Sequence, residues 1–136
     1  MHLKDKEEKI LQILERLTQE SSIGIPIIVE GKKDIMALTM LDVRGTMITA
    51  KTGGKTFLDA VSEIEKTRQK EVILLLDFDR RGRELTKRLR LYLEKTEIKT
   101  NLTFWFSLSS IIGREVKDIE GLASYMETLK SKISNS

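Results

Sequence analysis

The chain has no cysteine, and only one histidine, one proline and one tryptophan among its 136 residues. Without cysteine there is neither a disulfide framework nor a thiolate zinc site. The lone imidazole, His2, stands beside the first residue, so a His-based metal site or a Ser-His-Asp triad is not expected. Aromatic residues make up 5% of the chain, which leaves the packing to Val, Ile and Leu. No apolar run approaches the roughly 20 residues that span a bilayer. The opening Met1–Lys6 lacks the apolar stretch of a secretory signal, so the expected location is the cytoplasm, with no membrane partner. Pro26 is the only proline, and neither repeats nor a low-complexity linker break the chain. One domain over residues 1–136 is therefore expected.

What is present is aliphatic and charged. Hydrophobic residues make up 40% of the chain and charged residues 33%, enough for one core beneath a densely charged surface. The net charge of +3 is compatible with a polyanionic partner but does not identify one.

Periodicity sets the order of elements. Ile10, Ile13, Leu14 and Leu17 mark an amphipathic helix over 4–21. Ile25–Val29 is a short β-branched run of the kind found in strands buried on both faces. A helix is predicted over 34–41, a strand over 47–50, and a helix over 56–68 with Phe57, Ala60, Val61 and Ile64 on one face. Residues 71–76 form the clearest strand, followed by a helix over 81–95 with Leu85, Leu89, Tyr92 and Leu93 as its core stripe. A fourth strand is predicted over 102–106, carrying Trp105 as a core residue, then a short helix over 108–113 and a last helix over 119–132. Apolar strands alternating with amphipathic helices predict an α/β, Rossmann-like, doubly wound domain. Its four parallel strands are expected in the order 2-1-3-4, with helices on both faces.

In such sheets ligands bind beyond the carboxyl ends of the strands. Glu30 ends the first strand, and Asp77 and Asp79 end the third. If those strands are neighbours, the three carboxylates converge. Converging carboxylates repel unless a cation intervenes. An oxygen-only donor set suits magnesium, which binds one or two carboxylates together with substrate phosphate. Asp-x-Asp can hold one ion or share two, about 3.5–4 Å apart. A strand-end Asp is also a common helix N-cap, and Asp79 is placed for that role too. Receiver domains carry their acid pair at the first strand, and haloacid-dehalogenase-like phosphatases carry Asp-x-Asp there. This chain has Glu30-Gly31 at that point.

Ile27-Ile28-Val29-Glu30-Gly31 and Leu76-Asp77-Phe78-Asp79-Arg80-Arg81-Gly82 resemble the two motifs of the Toprim family, Glu-Gly and Asp-x-Asp-x-x-Gly, at matching strand ends. That family is shared by topoisomerases, bacterial-type primases, recombination-repair proteins and some nucleases. The resemblance covers residues 24–106, leaving an N-terminal helix over 1–23 and a C-terminal helical segment over 107–136. It implies a proton-transfer role for Glu30 and magnesium ligation by Asp77 and Asp79, with Glu30 also among the metal-holding residues and manganese able to substitute. Many topoisomerases have a third acid two residues beyond the pair, and here Arg81 stands there. Tyr92 and Tyr125 look like core or helix-face residues rather than nucleophiles. The chain is most similar to small stand-alone Toprim proteins, related to the nuclease that matures 5S ribosomal RNA.

Candidate phosphate contacts surround these acids. They are Lys32 and Lys33 beside Glu30, Lys51 and Lys55 at the second strand's end, and Arg80, Arg81, Arg83 and Lys87 at the start of the fourth helix. Arg83, Lys87 and Arg90 share a helix face, where solvation alone is the competing reading. Thr52-Gly53-Gly54-Lys55 falls short of a P-loop because its first glycine is replaced by Thr49. The expected function is magnesium-dependent phosphodiester chemistry on RNA or DNA, as a nuclease. The alternatives are a nucleic-acid-binding or docking subunit of a larger assembly, and a metal-binding domain without catalysis.

Overall fold

The computed structural model describes residues 2–135. Its elements run α1 (Leu3–Ser22), β1 (Ile27–Val29), α2 (Lys32–Met40), β2 (Met47–Thr49), α3 (Phe57–Lys66), β3 (Glu71–Leu74), α4 (Arg80–Lys95), β4 (Lys99–Asn101), α5 (Thr103–Ile112) and α6 (Leu122–Ser134), with a one-turn 3-10 helix at Thr52–Gly54. The four strands form a parallel sheet in the order β2-β1-β3-β4. The α/β architecture and the strand order agree with the reading of the sequence.

Alternation along the strands divides the core into two layers. Ile27, Val29, Ile73 and Leu75 face α1, α5 and α6 through Leu14, Leu17, Leu108, Ile112 and Met126. Ile28, Val72, Leu74 and Leu76 face α3 and α4 through Val61, Ile64, Leu89 and Leu93. Local chemistry sets the helix starts. Thr56 and Asp59 exchange hydrogen bonds as a capping box at α3, and Asp79 caps α4 by accepting from the Gly82 amide at 2.7 Å. Gly45, at φ 120°, lies against the end of α1, where a Cβ would meet Ser21 at 2.7 Å.

Two expectations are corrected. Residues 102–106 are not a strand. β4 is the polar Lys99–Asn101, and Trp105 lies in α5. An edge strand is hydrogen-bonded on one side only, so polar residues serve it well and no apolar run marks it. Asn101 then accepts from the Thr103 amide at 2.9 Å and turns the chain into α5. That helix opens with the apolar run Phe104-Trp105-Phe106, which hides its 3.6-residue period. Its buried residues, Phe104, Trp105, Leu108 and Ile112, have helical spacing. Trp105 is nonetheless a core residue, as expected. Tyr92 is 39% exposed and belongs to no core stripe. It packs edge-on against Phe57 at 5.6 Å, and Thr86 takes the inward place beside Leu89 and Leu93.

Candidate metal centre and its basic surroundings

β1 and β3 are adjacent, with Ile28 level with Leu74, so Glu30 and Asp77 emerge side by side. The Leu75 amide still donates to the Ile28 carbonyl at 2.9 Å, which carries the pairing to the rim. The Asp77 amide donates to Glu30 Oε1 at 3.4 Å. Glu30, Asp77 and Asp79 each present a carboxylate oxygen within 4.8 Å of the others. Asp79 is at once N-cap and cluster member, and a carboxylate has two oxygens for two such roles.

Gly82 makes this geometry possible. A Cβ there would lie 2.1 Å from the Asp77 carbonyl oxygen, so the first turn of α4 can close against the Asp-x-Asp loop only with glycine. The loop is held from its other side by residues 113–121. The Phe78 amide donates to the Lys117 carbonyl at 2.7 Å, and the Ile119 amide donates to Asp77 Oδ1 at 3.3 Å.

The electrostatics are those of a site short of positive charge. Burial pushes the Asp77 carboxyl up to about 7, helped by the charges of Glu30 and Asp34. Burial also raises Asp34, against the hydrogen bonds it accepts from the Gly31 and Glu120 backbone. Lys51 Nζ, 4.0 Å from Glu30 Oε2, is the closest compensating cation to Glu30 among the described residues. Hard oxygen donors that crowd and repel one another fit a divalent cation.

The expected phosphate contacts do not all gather here. Lys32, Lys33 and Lys51 line the shallow pocket around Glu30 and Asp77. Lys33 also reaches Glu120, at 3.9 Å. Lys55 is turned to the Thr49 carbonyl and to Glu63, at 2.8 and 2.7 Å. Arg80 pairs with Glu84 at 3.2 Å, and Arg90 pairs with Glu94 at the same distance. Arg81 and Lys87 are exposed on α4, and Arg88 lies over the Phe57 ring at 4.0 Å. Arg83 donates to the Phe78 carbonyl at 3.2 Å and faces a different cleft. Gly53 and Gly54 both lie at positive φ, so the chain after β2 makes a tight left-handed turn that favours glycine.

Sequence reasoning missed Asp34, Asp118 and Glu120, which line the same pocket. Asp34 had a signal, because an acid three residues after Gly31 is placed to cap α2, and it does accept from the Gly31 amide at 2.9 Å. Asp118 and Glu120 lie in a loop without periodicity or motif.

A parallel sheet in this order, with Glu-Gly and Asp-x-Asp-x-x-Gly at adjoining strand ends, defines a Toprim-type domain. The chain belongs to the Toprim family, whose domain pattern matches residues 25–107. Members of that family typically bind divalent metals and generally act on nucleic acids. More particularly, the chain is similar to small archaeal UPF0292 proteins. It is 42% identical to one from Methanocaldococcus jannaschii over 120 residues, covering 88% of this chain and 91% of that one. It is 34% identical to one from Methanosarcina acetivorans over 126 residues, covering 92% and 85%. A solved structure of a protein from Aquifex aeolicus superposes with a TM-score of 0.67 at 26% identity, covering 80% of this chain and 94% of that one. No helix among the described residues is long and apolar enough to cross a membrane.

Proposed function

We propose that the chain is a magnesium-dependent nuclease acting on RNA or DNA. One observation carries this reading: Glu30, Asp77 and Asp79 bring carboxylate oxygens within 4.8 Å of each other at the ends of two neighbouring parallel strands. Asp77 and Asp79 would hold the ion, with Glu30 at its edge and manganese as a substitute. When bound, a divalent cation supplies Lewis-acid polarisation of a phosphoryl oxygen and lowers the pKa of water. The chain's own residues do the rest. Glu30 takes a proton from the attacking water and returns it to the leaving oxygen. Lys51 offsets the charge of Glu30, and Lys32 and Lys33 bring the phosphodiester against the acidic rim. The Ile119 amide fixes Asp77.

The test is cleavage of a panel of radiolabelled RNAs and DNAs with magnesium, with manganese and with chelator. Metal-dependent turnover is expected, abolished by Asp77→Asn. Glu30→Gln should stop turnover while leaving binding nearly intact, because it keeps the shape of the side chain and reduces repulsion of phosphate. Metal-independent cleavage, or Glu30→Gln cleaving at the parent rate, would overturn these roles. The exposure of Asp79 favours a second reading, a nucleic-acid-binding or docking subunit of a larger assembly. Binding without turnover across the whole panel would select it.

A further inference from the structure

A second concavity, a cleft of about 760 Å³, shares the segment 113–121 with the acidic pocket: Gly113, Arg114, Glu115 and Lys117 line the cleft, and Asp118 and Glu120 line the pocket. Its floor includes Phe78, the residue between Asp77 and Asp79. Arg83, Arg114 and Lys117 line it, together with the neighbouring Ser109 and Ser110. The one carboxylate in its wall among the described residues is Glu115, which accepts from Lys6 at 3.0 Å. Among the described residues, none of those three cations has a carboxylate within ion-pair distance. The cleft therefore concentrates uncompensated positive charge, while the pocket beside it concentrates negative charge. Arg114, Lys117 and both serines lie beyond the residues matched to the Toprim domain.

We propose that this cleft holds the sugar-phosphate backbone of a nucleic-acid strand whose adjoining phosphate lies at the acidic rim. The proposal rests on reading that rim as directed at phosphate. Three features support a strand over a compact anion. The cations come from α4 and from the loop after α5, so they line the cleft at separate points. Arg114 and Lys117 are exposed on long side chains, Lys117 Nζ donating to the Gly113 carbonyl at 2.6 Å and keeping two further N–H donors, which suits contacts that position a backbone without reading its sequence. The wall is shared: residues 113–121 line the cleft on one side and, through the Ile119 amide, hold Asp77 on the other. A strand lying in the cleft would thus be held in register with the carboxylates by one loop.

The experiment measures binding of a radiolabelled single-stranded RNA, and of the matching DNA, at several salt concentrations in chelator, so that neither metal nor turnover is needed. Arg114→Ala/Lys117→Ala should weaken binding and lower the magnitude of the log-log salt slope by about 1.4, near 0.7 for each single-strand phosphate no longer neutralised. Ser110→Glu, at an exposed position of α5, should weaken binding without removing a cation. Lys130→Ala/Lys132→Ala on α6 removes the same net charge away from the cleft and should leave the slope near the parent value. Circular dichroism melts confirm that each variant is folded. Equal slopes in parent and Arg114→Ala/Lys117→Ala, an equal drop in the α6 control, or no strand binding by the parent would overturn the proposal. So would displacement of the strand by a stoichiometric nucleoside triphosphate, which would mark a small-anion site. Cleavage is scored separately. A slope difference without turnover keeps the cleft and removes the nuclease reading, and turnover with an unchanged slope does the reverse.

Discussion

At the residue scale, Asp77 places a cost on the folded state that a cation can relieve. Its carboxyl holds a proton up to about pH 7 when folded, whereas an unfolded chain releases it near 4. Between those values the folded state binds more protons, so this group's contribution to stability is greatest below about pH 4 and is lost as pH rises to about 7. In chelator, Asp77→Asn should therefore be more stable than the parent above pH 7, by on the order of 1–3 kcal/mol, with the difference vanishing near pH 4. With magnesium the order should shift back toward the parent, since a ligand of the native state alone raises its melting temperature. Calorimetric melts from pH 4 to 8, with magnesium and with chelator, check both statements. A magnesium shift equal in parent and in Asp77→Asn/Asp79→Asn would remove these two from the ligand set.

At the element scale, α5 supports the loop that carries the acids. Trp105 Nε1 donates to the Leu76 carbonyl at 2.9 Å, one residue before Asp77. Trp105→Phe leaves that carbonyl without its donor in a buried place and should cost about 1–3 kcal/mol. It should also weaken the magnesium-induced shift in melting temperature, which an equivalent truncation such as Leu129→Ala on α6 should leave in place. This support was not legible in the sequence. Glu30, Asp77 and Asp79 were legible because apolar strands ended at them, and because strand ends are where α/β sheets bind ligands. Their convergence was conditional on the first and third strands being neighbours, which the sheet order shows. The run Phe104-Trp105-Phe106 gave no such purchase, since an apolar stretch without visible period reads equally as strand or helix. The polar β4 beside it carried no apolar signal. The basic cleft was hidden for a related reason: Arg83 lies far along the chain from Arg114 and Lys117, and only the docking of residues 113–121 against Phe78 joins them.

At the scale of the whole molecule, the segments outside the Toprim match build about half of one of the two core layers. Ile10, Leu14, Leu17, Leu108, Ile112, Leu122 and Met126 are buried against one face of the sheet. We propose that the entire chain is the folding unit. A fragment spanning 24–107 would expose Ile27, Val29, Ile73 and Leu75, an apolar face of the kind that drives aggregation. It should show no cooperative melt in calorimetry, whereas the full chain should show one. A fragment that melts cooperatively would make α1 and the C-terminal helices an accessory to an independent core.

Trp105 is the only tryptophan, and its ring lies 6.0 Å from that of Phe78, between the two aspartates. The protein thus carries an intrinsic optical reporter in the core, in contact with the loop that bears the two aspartates. Ordering of the Asp-x-Asp loop should alter the indole's emission, so occupancy can be followed in the unmodified chain without a dye.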